Sequence, residues 1–372
     1  MKPASHSDQN RGVLEHQLLR RLLRLSADPS DADNITVLLN EPVDWNYFIY
    51  AAHEHRLIGL IYQRLARFRE AIPDHSWTQL REGARSVADF NLGLTGKLLK
   101  LLALLEAHNI PAVPYKGPVL AQLAYGDLKL RQFTDLDLLV NKEDFYRVKE
   151  LLLANGCRPG WRLTRKQELA VLRHYYNYPF VSNENRVLIE VHWEFTESFF
   201  SFAFDLAQMR KRLAVVEVLG RPVRTLALED TLLVLCAHGS KHLWKRIGWI
   251  CDIAMLIKQQ PNLDWNLVVE RATNLGLLRI LWLGLLLADT LITVPLPPEI
   301  EARLEREPLL KSMADQILED SLSPPKSSGS LQTALLQLKL RERMTDKLNY
   351  CFRLVVATKL VDSLFMPMGR PR

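Results

Sequence analysis

The stretch Arg131-Gln132-Phe133-Thr134-Asp135-Leu136-Asp137-Leu138-Leu139-Val140 places two carboxylates one residue apart inside an otherwise apolar run. In a β-strand side chains alternate, so Asp135 and Asp137 project from one face about 6.5–7 Å apart, and Leu136 and Leu138 from the other. At an effective dielectric of about 20, two unit charges about 4 Å apart repel by roughly 4 kcal/mol, so a half-buried pair asks for protonation or for divalent cations. Hard oxygen ligands suit Mg²⁺, usually completed by substrate phosphates.

The chain has 372 residues, long enough for two or three compact units, and its 48% hydrophobic and 24% charged residues exclude a disordered or fibrous class. The longest nearly uncharged apolar stretch, Ile280 to Ala288, is far short of the roughly 20 residues that span a bilayer, so no membrane span is expected. Met1 to Asn10 is polar, without a signal core. Cys157, Cys236, Cys251 and Cys351 have neither metal-ligand nor disulfide-framework spacing. Four free thiols in a cytoplasmic protein are the simplest expectation. The net charge of +6 tilts the surface toward anions, but no block of five basic residues occurs, and nucleic acid is not favoured as a partner.

Leucines at helix spacing, such as Leu18-Leu19, Leu22-Leu23 and Leu98-Leu99 through Leu104-Leu105, predict an N-terminal helical segment over residues 1–106. Asp44-Trp45-Asn46 and Asp264-Trp265-Asn266 each look like a helix N-cap. The texture changes over residues 107–200. Ala112 to Tyr115 reads as a short strand, Lys116-Gly117-Pro118 as a turn, and Val119 to Tyr125 as a short helix. After the aspartate strand, Asn141 caps a helix that stops at Asn155-Gly156. Tyr176 to Val181 and Val187 to Trp193 flank Ser182-Asn183-Glu184-Asn185 as a β-hairpin. Helices are expected to return over 201–322, with one running from Asp230 to Leu256, and residues 323–372 to form a linker (Ser323 to Gly329) and a basic amphipathic tail. The expected class is α+β: a mostly helical chain around a small mixed-sheet core, about Pro111 to Thr196.

Leu188-Ile189-Glu190-Val191-His192-Trp193 puts Glu190 and His192 on one strand face. If this strand pairs beside the aspartate strand, Glu190 supplies a third acid, and three acids can hold two Mg²⁺ ions roughly 3.5–4 Å apart; otherwise it is an edge acid facing solvent. Arg131 can clamp a phosphate or pair with Asp127 or Asp135. His238, Lys241 or His242, Lys245 and Trp249 recur along one helix face as a basic stripe ending in an aromatic. That stripe contacts phosphate or base, or is a solvated face; no third ligand supports zinc. Asp252 can orient Arg246 or Lys245, and His53-Glu54-His55 reads as surface.

Tyr115-Lys116-Gly117, Tyr125, Leu130 through Val140 and Ile189 through Trp193 resemble the uncharacterised nucleotidyltransferase family, within the DNA polymerase β-like nucleotidyltransferase superfamily. The resemblance extends to His238 through His242, Arg246, Trp249 and Asp252, and covers roughly Trp45 to Pro298. It implies metal-dependent transfer of a nucleoside monophosphate from a nucleoside triphosphate to an acceptor hydroxyl or similar group; the residues do not separate a small molecule from a peptide, a protein side chain or RNA. By position, Asp135 and Asp137 match the superfamily's metal-binding aspartates and Glu190 its third acid, with Mg²⁺, or Mn²⁺ in its place. Lys116, Gly117, Arg131, His238 and Lys241 are the expected nucleotide-binding residues. The turn departs from the superfamily's Gly-Gly or Gly-Ser: Pro118 offers no amide donor, while Lys116 brings a charge. Two other readings use the same residues: phosphoryl transfer from the γ-phosphate, and a catalytically idle nucleotide-binding or protein-interaction module.

Overall fold

Apolar residues at helical spacing fill both ends of the chain, and one mixed sheet lies between them. The computed structural model describes residues 12–26, 28–184, 186–196, 204–322 and 330–352. The N-terminal residues before these, the linker Ser323 to Gly329 and the last part of the tail lie outside the described residues, as does Asn185 of the hairpin turn. Before the sheet run helices Val13–Arg24, Pro29–Leu39, Trp45–Glu54, Ile58–Leu65 and the 34-residue Asp74–Ala107. Both Asp-Trp-Asn triplets are caps: Asp44 accepts from the Tyr47 amide and Asp264 from the Leu267 amide, each at 3.0 Å.

The five-stranded sheet has the order β1-β2-β5-β4-β3, from strands β1 (Ala112–Pro114), β2 (Asp135–Val140), β3 (Cys157–Pro159), β4 (Asn177–Ser182) and β5 (Leu188–His192). β4 and β5 form the expected antiparallel hairpin, and β2 runs parallel to β5 with Asp137 opposite Glu190. The strand periodicity sorts the two faces. Leu136, Leu138, Val140, Ile189 and Val191 pack with Phe145, Val148 and Leu98 in one core. Leu139, Val113 and Tyr115, from the other face and the adjoining strand, join a second core that contains Leu22, Phe48, Ile58, Leu232, Ile253 and Leu283. The N-terminal and C-terminal helices, far apart in sequence, therefore share one core against the face that carries the aspartates.

The region assigned to C-terminal helices, 201–322, also holds a hairpin ahead of Leu228, β6 (Ala214–Val218) with β7 (Arg221–Thr225), joined to β1 by a 2.8 Å hydrogen bond from Thr225 Oγ1 to the Pro114 carbonyl. One sequence expectation is corrected. The single helix expected from Asp230 to Leu256 is two, Leu228–Lys241 and Ile247–Gln259. Leu243 and Trp244 take left-handed conformations between them, and the Trp244 amide closes back on the Gly239 carbonyl at 2.9 Å while its indole is fully buried. Helices Trp265–Leu275, Leu278–Ile292, Pro298–Glu305 and Pro308–Ser321 complete the region. A further helix, Ser330–Leu340, docks on it through Gln337, whose amide donates to the Ser240 carbonyl at 2.6 Å. The chain is thus α+β, and among the described residues no helix is long and apolar enough to cross a membrane.

Candidate active site

A cavity of about 250 Å³ lies on the aspartate face of the sheet, against helices Leu228–Lys241 and Ile247–Gln259. All the sequence-derived candidates line it: Asp135, Asp137 and Glu190 on one side, and Lys116, Gly117, Arg131, His238 and Lys241 around them.

The strand period brings the acids here. Asp137 is 5% exposed, and its Oδ1 lies 3.0 Å from His192 Nε2 and 3.6 Å from Lys116 Nζ. Glu190 is half-buried, with Oε2 3.3 Å from the same His192 nitrogen. Burial pushes the Asp137 carboxyl up, but the Lys116 ammonium and the His192 hydrogen bond outweigh it and hold the group well below the usual carboxylate range. Asp135 goes the other way, raised by burial and by Asp137, with Lys116 only partly compensating. His192 is raised against the effect of its burial by its bonds to Asp137 and Glu190. Sequence reasoning placed His192 on the Glu190 face without giving it a role. The structure makes it the contact between the two acids, wedged by the rings of Tyr115 and Tyr176 at 5.4 and 5.6 Å.

The expected turn is a short helix, Gly117–Leu120, followed by a wide turn to Tyr125. Gly117 has φ +54°, and a Cβ there would meet the Asp135 carbonyl at 3.3 Å, so only glycine lets this turn lie against the aspartate strand without strain. The same close approach carries Lys116 to Asp137, and Lys116 Nζ lies 3.4 Å from His238 Nδ1. Burial first, then the Lys116 charge, lowers His238 far enough to leave a neutral imidazole facing the ammonium.

The stripe is rearranged by the helix break. Lys245 is exposed and does not line the cavity, while Trp249 returns from the next helix to meet His238 and His242 at ring distances of 5.3 and 5.0 Å. Lys241 donates to Tyr176 Oη at 2.8 Å. Arg131 pairs with neither Asp127 nor Asp135: its Nε and Nη2 donate to the two oxygens of Asp252 at 2.8 and 2.9 Å. Asp252 also accepts from Tyr125 Oη at 2.9 Å, and so orients Arg131 rather than Arg246 or Lys245. Asn91 of the long helix holds the preceding turn by donating to the Leu128 and Arg131 carbonyls at 2.6 and 2.8 Å. The His53-Glu54-His55 run is not plain surface, since both imidazoles are half-buried and His55 Nδ1 faces the Ile247 amide at 3.4 Å.

The donor set fits a divalent cation. Asp137, Glu190 and His192 each offer a ligand atom within 4.8 Å of the others, and Asp135, with its raised carboxyl, lies beside this group without belonging to it.

Residues 41–293 match the protein family described as uncharacterised nucleotidyltransferase. The chain belongs to this family. No curated protein matches the nucleotidyltransferase sequence. Two solved structures of the antibiotic-resistance factor ANT(2″)-Ia are similar to part of it. Its solution structure is 15% identical, over 50% of this chain and 91% of that one, with a TM-score of 0.36. Its crystal structure with adenylyl-2″-tobramycin is 16% identical, over 49% and 96%, with a TM-score of 0.32.

Proposed function

We propose that this nucleotidyltransferase moves a nucleoside monophosphate from a nucleoside triphosphate to an acceptor hydroxyl or similar nucleophile, with divalent cations, Mg²⁺ or Mn²⁺, held by Asp135, Asp137 and Glu190. The observation that carries the reading is the parallel register of β2 and β5, which sets Asp137 opposite Glu190 in a cavity whose other sides are cationic and aromatic. The chemistry that bound divalent cations supply is neutralisation of phosphate charge and activation of the attacking oxygen. His192, bridging Asp137 and Glu190, fixes their orientation and can join them as a ligand.

Glu190, the more exposed of the paired acids at 26%, faces the cavity and takes the proton of the acceptor as its oxygen attacks the α-phosphorus. The bond from the α-phosphorus to the bridging oxygen breaks, and pyrophosphate leaves with the electron pair. Lys116 and the Gly117 amide steady the phosphate oxygens, a charge standing in for the hydroxyl that other turns of this kind offer. Neutral His238, with His242 and Trp249, offers ring faces to the base, and Lys241 adds positive charge beside Tyr176.

The test supplies triphosphate labelled at the α- or the γ-phosphorus with Mg²⁺ and cell extract. Transfer of the α-label with release of pyrophosphate is expected. Transfer of the γ-label with release of a nucleoside diphosphate overturns the reading in favour of phosphoryl transfer, and nucleotide binding without any transfer overturns it in favour of an idle module.

A further inference from the structure

Arg56 lies outside every sequence motif discussed above, yet its side chain enters the cavity. It ends helix Trp45–Glu54 with φ +60°, where the Arg56 amide bonds the His53 carbonyl at 2.9 Å and the Leu57 amide closes on the Ala52 carbonyl at 2.7 Å. This is the helix-end position that glycine ordinarily occupies, because a Cβ is strained there. A large side chain retained at such a position points to a use for that side chain.

Two contacts aim it. Arg56 Nη2 donates to Thr134 Oγ1 at 3.2 Å, at the entrance of the aspartate strand. The neighbouring His55 carbonyl accepts from the Gly248 amide at 3.1 Å, and a Cβ on residue 248 would stand only 2.6 Å from that oxygen. The bare glycine backbone therefore seats the N-terminal helix end against the start of helix Ile247–Gln259, next to Arg246. Arg246 also lines the cavity, its guanidinium 5.4 Å from the Trp249 ring centroid. Among the described residues no carboxylate lies within ion-pair distance of Arg56 or Arg246. Burial and then the charge of Arg246 lower the Arg56 guanidinium, so the two like charges repel each other in the free protein. Arg131 adds a third group: Nε and Nη2 are committed to Asp252, while Nη1 is buried with no hydrogen-bond partner among the described residues.

We propose that Arg56 and Arg246, with the charge of Arg131 behind them, form an anion subsite that grips the terminal phosphates of the nucleoside triphosphate, the part that leaves as pyrophosphate. This rests on the nucleotidyl-transfer reading. Three guanidinium groups converging from three separate segments match a polyanion better than a single carboxylate, and planar forks suit phosphate oxygens. Cations placed there would stabilise the charge that develops on the leaving group. An acceptor that itself carries a phosphate has the same chemistry, so the test must separate the two sources.

Calorimetry of the full-length protein in Mg²⁺ with inorganic triphosphate and, separately, with nucleoside monophosphate does so. Arg56→Gly should weaken triphosphate binding about tenfold or more, the loss expected for a charge-assisted hydrogen bond, and leave monophosphate affinity within about twofold. Its thermal midpoint should equal or exceed that of the parent, because glycine relieves the left-handed backbone. Arg246→Gln, which leaves the helix end untouched, should show the same pattern of binding. If both variants bind triphosphate as tightly as the parent, or lose monophosphate binding alone, the subsite is overturned while nucleotidyl transfer stands. If the parent protein fails to bind triphosphate at all, the subsite and the proposed function fall together.

Discussion

The cavity has two unlike walls. The acidic wall comes from two adjacent strands, with Asp135 and Asp137 on β2 and Glu190 and His192 on β5, so one hairpin and one parallel pairing build it. The basic and aromatic wall comes from four segments: Arg56 at an N-terminal helix end, Lys116 before the short helix, Arg131 in a turn, and His238 through Trp249 across a helix break. The first wall is local and periodic; the second exists only because the N-terminal and C-terminal helices share a core. A site can thus combine a part specified by strand alternation with a part specified by long-range packing, and the two should fail differently when mutated.

The sharpest division comes from the acidic wall. Asp137→Asn should lower turnover about 10³-fold or more, the loss expected if this carboxylate holds a cation in the transition state, and it should also lower the unfolding midpoint, because it takes the buried charge away from Lys116 and His192. Steady-state kinetics beside thermal unfolding would check this, and a variant with parental turnover would break the acidic wall's claim to the chemistry. In the basic wall the larger effect should fall on stability. Asp252→Ala strands Arg131 and Tyr125, and should cost about 3 kcal/mol of stability, as removal of one partner of a buried pair usually does. Urea unfolding measures it, and a change near zero would mean that Arg131 is not held as described.

Smaller effects sharpen the comparison. Lys116→Met should reduce kcat/KM about 10²-fold by removing the ammonium that lies 3.6 Å from Asp137. Trp249→Leu should raise the KM for triphosphate about fivefold, roughly 1 kcal/mol of lost stacking, with kcat little changed. The smallest effect concerns pH. His242 is pushed down to about 4, first by burial and then by Lys241 and Lys116, whereas in the unfolded chain it titrates near its ordinary value of 6.5. Between these values the unfolded chain takes up the proton first. Stability from this group is therefore complete above about pH 6.5 and falls as the pH drops toward 4. Denaturation midpoints at pH 7 and pH 5 should differ less in His242→Gln than in the parent protein; an equal difference would remove His242 from the buried cluster.

How much of this was legible in the sequence follows the same division. Period-2 alternation exposed Asp135, Asp137, Glu190 and the hairpin, since side-chain direction in a strand needs only the spacing of residues. Lys116 and Gly117 were legible through the turn and the family resemblance. The partner of Arg131 was not, because Asp252 lies 121 residues away and nothing local marks it. The stripe from His238 to Trp249 crosses a helix break that the sequence did not mark: Lys245 leaves the cavity and Trp249 returns from the next helix. Periodicity carries through a helix break, whereas the buried Trp244 and the left-handed Leu243 and Trp244 depend on tertiary packing. Arg56 had no signal of its own, since an arginine after His53-Glu54-His55 shows neither its left-handed backbone nor the strand it reaches.

The central claim is that the acidic wall holds divalent cations in the presence of triphosphate. It is tested most directly by electron paramagnetic resonance titration of Mn²⁺ into the parent protein and Asp137→Asn, each with a triphosphate analogue that cannot be cleaved between its α- and β-phosphates. Bound Mn²⁺ in the parent protein that weakens about tenfold or more in Asp137→Asn is the predicted result. Equal Mn²⁺ binding by the two proteins, or none by either, would contradict it.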